Sequence, residues 1–152
     1  MGDRVDWGSI QHDPAGCADQ VDAAFDRGDP LVGVAVIGLS LCHDDAEVIA
    51  PRARRAIASG EQQLRCQGLT AVSHMVRRTG EIDDMTLETL RPLLHDLNPV
   101  VREHAGSIVA DVWIFVPHPR LPAWLSRRQR LQSIKWWFVM RWTDIGLYFR
   151  RP

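Results

Sequence analysis

The chain holds little lysine and little cysteine. Of its 18 basic residues only Lys135 is lysine, which makes arginine the working cation of the molecule. The three cysteines, Cys17, Cys42 and Cys66, are odd in number and none stands in a C-x-x-C spacing. That pattern argues against a disulfide framework or a zinc ribbon and fits a reduced, cytoplasmic setting. Long apolar runs are missing as well. The tail's longest, residues 136–140 (WWFVM), is bounded by Lys135 and Arg141, far short of the ~20 residues of a membrane span. The N-terminal MGDRVDWGSIQHD is acidic and lacks the apolar core of a signal peptide, so a soluble protein without a transmembrane segment is expected. Walker, dinucleotide-binding, H-E-x-x-H and nucleophile-elbow patterns are also absent. No motif points to a cofactor or a reaction, and the chain is read as a non-enzyme.

What is present is an ordinary globular composition. With 152 residues, 45% apolar and 24% charged, the chain can close one hydrophobic core, and a single domain over residues 1–152 is expected. The net charge of −1 hides an asymmetry. Residues 120–152 carry eight basic side chains against Asp144 alone, or +7, while the remainder carries 10 basic and 18 acidic residues, or −8. Such a dipolar chain can offer its basic end to nucleic acid or an acidic protein, or dock its own tail on its acidic body.

Three stretches superimpose when Val32, Leu64 and Val101 are set in register: LVGVAVIGLSL, QLRCQGLTAV and VVREHAGSIV, at offsets of 32 and 37 residues. Gly33, Arg65 and Arg102 then coincide, as do Val36, Gly68 and Ala105, and Leu39, Ala71 and Ile108. Apolar or small residues at offsets 0, 4 and 7 mark one face of a helix. A further helical segment precedes each stretch, over residues 14–27, 44–59 and 83–96. The acidic pairs Asp44-Asp45 and Asp83-Asp84 suit a helix N-terminus by capping and by dipole. Gly28-Asp29-Pro30, Ser59-Gly60 and Asn98-Pro99 separate the members of each pair, with Pro99 at a helix start where its missing N–H costs nothing. Pro51 and Pro92 fall inside helical segments and are expected to kink or restart them. Helix pairs recurring in this way, each unable to bury its apolar face alone, predict an all-α fold, a short α-solenoid of about three pairs.

The third repeat carries a family resemblance. LETLRPLLHDLNPVVREHAGSIVADV, residues 87–112, resembles a HEAT repeat: leucines on the first helix, an Asp at its end, Asn-Pro in the turn, then Val-Arg-x-x-Ala. The resemblance extends over residues 14–116 but loosens toward the N-terminus, where the second repeat lacks the turn Asp and the first has Gly33 in place of the arginine. It implies that Arg102 bonds the turn carboxylate of Asp96, and that the second helices line the concave, ligand-binding face.

On that face, Val101, Ala105, Ile108, Val112 and Phe115 are expected to be core, as are Leu64, Gly68, Ala71 and Met75 one repeat earlier. Polar ridges remain beside them: Gln67, Thr70, His74 and Arg77 on one helix, and His104, Ser107 and Asp111, with Glu103, on the next. In register the first repeat offers Ala35, Gly38 and Cys42, a small apolar floor. Neighbouring helices pack roughly 8–10 Å apart, so these ridges would merge into one partner-binding surface. The ridge formally contains Ser, His and Asp, but a mid-helix serine has no free backbone N–H groups to form an oxyanion hole. A zinc site from Cys42, His43 and His74 is disfavoured, because His12, His43 and His74 recur every 31 residues and drift against the repeat.

After Pro117, Pro119 and Pro122 the pattern stops. Residues 120–152 hold four of the six tryptophans. Leu131, Ile134, Trp137 or Phe138, Trp142 and Ile145 fall near helical spacing, while Trp136, Phe138, Met140 and Trp142 alternate as a strand would, and periodicity alone does not separate the two. A basic, aromatic helix that caps the solenoid is expected; stacking of Trp136 and Trp137 on nucleic acid and an amphipathic partner or membrane-surface helix are the alternatives. Short HEAT-like proteins of bacteria include immunity partners of secreted toxins. By that analogy the expected function is binding and occlusion of a toxin, with Gln67, Thr70, His74, Arg77, Glu103, His104, Ser107 and Asp111 as the contact surface and no cofactor or metal. The alternative is a nucleic-acid-binding or HEAT-like DNA base-repair protein that uses the basic tail.

Overall fold

A computed structural model of the chain describes residues 14–148. Residues 1–13, on which the signal-peptide reading falls, and 149–152 lie outside the described residues. So do the side chains of residues 136–148, including the pair Trp136 and Trp137 assigned to base stacking. The described residues form α-helices and one short 3-10 turn, with no strand: α1 (Pro14–Arg27), α2 (Val32–Cys42), α3 (Ala46–Ile57), α4 (Gln62–Thr79), α5 (Asp84–Leu93), α6 (Pro99–Phe115), the turn His118–Arg120, and α7 (Ala123–Tyr148). The protein is all-α. Its chain divides into two compact units, one ending at Val116 and one beginning at Pro117.

Helix starts in the first unit are set by local chemistry. Asp45 accepts from the Glu47 N–H, Asp83 from the Thr86 N–H, and Asn98 from the Val100 N–H, so each supplies an acceptor to a helix end that has none of its own. The helices are shorter than residues 44–59 and 83–96, because Asp45 and Asp83 stand outside as caps. After Leu93, the Leu94, His95 and Asp96 N–H groups each bond the carbonyl three residues back, which tightens the chain out of the α-helix. Pro51 and Pro92 both lie within unbroken helices rather than restarting them. Gly28 (φ 65°) and Gly80 (φ 66°) adopt the left-handed conformation that ends α1 and α4.

Within this unit α1 packs on α2, α3 on α4 and α5 on α6. Across the pairs, α3 touches α1 and α5, and α4 touches α2 and α6. Two rows result, α1-α3-α5 and α2-α4-α6, with the α3–α4 pair in the middle. Being enclosed on three sides, α4 buries Gly68, Leu69, Ala71, Val72, Ser73, Met75 and Val76, a broader face than the offsets 0, 4 and 7 describe. At Gly68 the backbones come close: an added Cβ would stand 2.8 Å from the Ala53 carbonyl oxygen and 2.9 Å from both Ala56 Cβ and Ile57 Cγ1. Small residues opposite, Ala53 and Ala56, are the other half of that contact.

Ion pairs follow the same order. Every arginine of α3 and α4 is paired: Arg52 with Asp22, Arg54 with Asp83, Arg55 with Asp26, Arg65 with Asp96, Arg77 with Asp111 and Arg78 with Asp44. The middle pair supplies the cations and the segments on either side supply the carboxylates. This changes the expected role of Arg102. Its Nη1 donates to the Asp96 backbone carbonyl at 2.8 Å, whereas the Asp96 carboxylate is held by Arg65 of α4 and accepts the Asn98 N–H at 2.9 Å. With Arg65 on the carboxylate, Arg102 is left the backbone carbonyl.

Two expected core positions differ. Leu64 is half-buried, and Phe115 is 43% exposed. Next to Phe115, α4 has already ended: an added Cβ at Gly80 would lie 3.3 Å from the Phe115 carbonyl oxygen, so no further turn of α4 is available to cover the ring. In the second unit the tail backbone is helical over Ala123–Tyr148 rather than extended. Among the described residues no helix is long and apolar enough to cross a membrane.

Candidate partner-binding face

The eight ridge residues lie on α4 and α6, which pack side by side. The two helices do meet through their polar ridges, but the residues separate into three groups according to what they touch. Thr70 and His104 form one link. The Thr70 hydroxyl donates to the Cys66 carbonyl at 3.0 Å, and its oxygen stands 3.4 Å from His104 Nε2. Both side chains are half-buried.

A second group points inward. Asp111, expected on the surface, is 7% exposed and accepts hydrogen bonds from the Ser73 hydroxyl at 2.6 Å and from Arg77 Nη2 at 2.9 and 3.0 Å. A carboxylate so deep is tolerated because it is both paired and hydrogen-bonded. Arg77 itself is exposed, with its guanidinium carbon 5.9 Å from the Phe115 ring centroid, and the ring covers part of the cation. His74 lies between these groups. Burial pushes its pKa down and the Arg77 charge pushes the same way, while Asp111 opposes them. Burial also lowers the pKa of His104, which favours the neutral imidazole at both positions. Ser73 belongs to this network and face periodicity did not single it out. Its signal was a hydroxyl among the apolar positions of the most enclosed helix.

The third group is available to a partner. Glu103 and Ser107, four residues apart on α6, are exposed. Gln67 turns the other way, toward α2: a Cβ at Gly33 would fall 1.8 Å from its Oε1. There it helps to line a cavity of about 190 Å³ with Phe25, Asp29, Val32, Glu61 and Leu64. On α2, Ala35 is buried rather than part of an open floor, whereas nothing approaches within 4 Å of a Cβ at Gly38 and Cys42 is half-buried. Val34 and Leu41 are exposed beside them. The row α2-α4-α6 therefore runs from apolar, through neutral polar at Thr70 and His74, to charged at Glu103.

This arrangement provides no nucleophile with its base. Ser107 is exposed in mid-helix, while the Asp111 carboxylate is committed to Ser73 and Arg77. The Cys66 thiol is pushed up in pKa by burial, away from the reactive thiolate. Among the described residues no group of three or more His, Cys, Asp or Glu side chains converges to hold a metal ion. No protein-family model matches the chain, and no curated protein or solved structure matches it either.

Proposed function

We propose that the first unit is a HEAT-like solenoid of three helix pairs that binds a protein through the α2-α4-α6 row. The chain is read further as a cytoplasmic immunity protein that occludes a basic toxin. The observation that supports this reading is the pairing of the arginines. Those of α3 and α4 are all paired within the unit, so the acidic excess of the body remains outward at exposed side chains such as Asp19, Glu47, Asp84, Glu88 and Glu103. An acidic surface steers a basic partner and discriminates against an acidic one. The exposed Val34 and Leu41 add apolar contact area beside the polar ridge.

The experiment is co-expression with the products of the genes that flank its own. A flanking product that is toxic alone, is bound directly, and is neutralised in the presence of this protein supports the reading. Glu103→Lys with Ser107→Lys reverses the charge of the exposed ridge and leaves every ion-paired residue in place. This double variant is expected to lose at least about tenfold in affinity, since charge reversal at a complementary contact costs more than 1.4 kcal/mol. Unchanged affinity in a folded double variant removes the α6 ridge from the interface. Flanking products that are neither toxic nor bound refute the immunity reading.

A further inference from the structure

In the second unit α7 shows aliphatic side chains among cations. Leu131 and Ile134 are 68% and 53% exposed, and Arg127, Arg130 and Lys135 around them are exposed too. The sequence continues the pattern along the helix: Leu131, Ile134, Phe138, Trp142 and Ile145 follow one another at steps of three, four, four and three residues. Asp144 is the single acid between Ala123 and Tyr148, and Trp124, Trp136, Trp137 and Trp142 fall within the same helix. A helix of this length could extend across a bilayer core, since 26 residues rise about 39 Å. It is nonetheless too polar to do so. Its arginines, lysine and tryptophans are residues that favour the bilayer interface instead.

We propose that α7 is an interfacial helix that binds an anionic lipid surface, with the Leu131–Ile134 edge at the hydrocarbon boundary and Arg127, Arg130 and Lys135 at the lipid phosphates. Charge complementarity selects the anionic surface, because basic side chains next to an aliphatic edge are attracted by acidic headgroups within about one Debye length. The aliphatic pair selects lipid over nucleic acid. Leucine and isoleucine gain nothing from phosphates and offer no ring for bases to stack on, whereas they are favourably transferred to acyl chains. Tryptophan is the residue most at home between headgroup and hydrocarbon, and this helix has four of the chain's six. This inference rests on α7 alone and stands or falls independently of the protein-binding role of the first unit.

The test uses the full chain with unilamellar vesicles of phosphatidylcholine, with and without phosphatidylglycerol, read by co-sedimentation and by tryptophan emission. Binding is expected only to the vesicles that contain phosphatidylglycerol, with a blue shift of the emission and a decline as salt is raised. Arg127→Gln with Arg130→Gln and Lys135→Gln is expected to weaken partition about a hundredfold, at roughly fivefold per charge. Leu131→Gln with Ile134→Gln keeps all charges and is expected to weaken it at least about tenfold. All five positions are exposed, and unchanged far-ultraviolet circular dichroism shows that each variant keeps its helices. No partition, equal partition into neutral vesicles, or wild-type partition of the Leu131/Ile134 variant overturns the proposal. Single-stranded DNA bound equally by wild type and that variant, with vesicles ignored, also overturns it and assigns the helix to a polyanion by charge alone.

Discussion

Replacing Asp111 by alanine tests whether this residue is part of the interior, as its contacts indicate, or of a binding surface. Asp111 is 7% exposed, and its carboxylate holds the Ser73 hydroxyl at 2.6 Å and Arg77 Nη2 at 2.9 and 3.0 Å. Its removal leaves the Ser73 hydroxyl buried without that acceptor, a loss of about 1–3 kcal/mol. The Arg77 side chain is 50% exposed, so water replaces much of what it loses, and its share is about 1 kcal/mol rather than the 3–5 kcal/mol of a fully buried pair. A destabilisation of about 3 kcal/mol is expected, a large part of a typical 5–15 kcal/mol total. Asp111→Asn keeps an acceptor for Ser73 and gives up only the charge, at about 1–1.5 kcal/mol. In urea denaturation at pH 7, a double-mutant cycle with Ser73→Ala should show a coupling of about 1–2 kcal/mol, because the orphaned hydroxyl disappears with its partner. A loss below about 1 kcal/mol for Asp111→Ala, or a coupling near zero, refutes the buried network.

Two further perturbations probe the packing and the charges. Gly68→Ala pushes a methyl group onto the Ala53 backbone carbonyl and the Ala56 and Ile57 side chains and should cost about 1–3 kcal/mol; Gly33→Ala meets only the movable ends of Gln67 and Leu64 and should be neutral or slightly stabilising through helix propensity, so equal melting temperatures for the two variants contradict the α3–α4 contact. Because burial holds His74 and His104 below their ordinary value of 6.5 in the folded chain, the unfolded chain takes up protons first: their stabilisation is complete above about pH 6.5 and is lost as pH falls through the folded values. Asp44 and Asp96, held low by Arg78 and Arg65, add a second loss below the ordinary carboxylate value of 3.8. A melting temperature that does not change between neutral pH and the acid range refutes both assignments.

Local chemistry was readable from the sequence, and contacts between repeats were not. Acidic pairs and Asn-Pro located the helix starts, because a cap is made within three residues of the cap itself. Face periodicity identified Val101, Ala105, Ile108 and Val112 as core. It failed where a helix has more than one neighbour. On α6 the face beside α4 was read as an exposed, partner-binding ridge, and Asp111 is interior because Ser73 and Arg77 meet it from across the helix gap. The carboxylate of Asp96 shows the same limit. Arg102 is six residues away in sequence and bonds only its backbone carbonyl, whereas Arg65, 31 residues away, holds the side chain. The family resemblance pointed to Arg102 for the carboxylate, and the contact is made by Arg65 instead.

A distribution visible in the sequence does account for those long contacts. Residues 46–79 contain six arginines and two acids. The stretch before, 14–45, contains six acids and one arginine, and the stretch after, 80–116, seven acids and two arginines. Helix pairs with similar apolar faces could in principle stack in any order. With this charge arrangement, only the order that places the arginine-bearing pair between the two aspartate-bearing ones gives each flank a counter-charge. Direct stacking of the outer pairs would oppose carboxylate to carboxylate, which charge repulsion penalises. Each exposed pair adds little stability by itself, at about 0–1 kcal/mol, so the array bears on which neighbours are accepted more than on how tightly they are held. It also links fold to surface. Each arginine paired in this array cancels one carboxylate, and the acidic excess of the first unit is carried by the acids outside it, such as Asp19, Glu47, Asp84, Glu88 and Glu103.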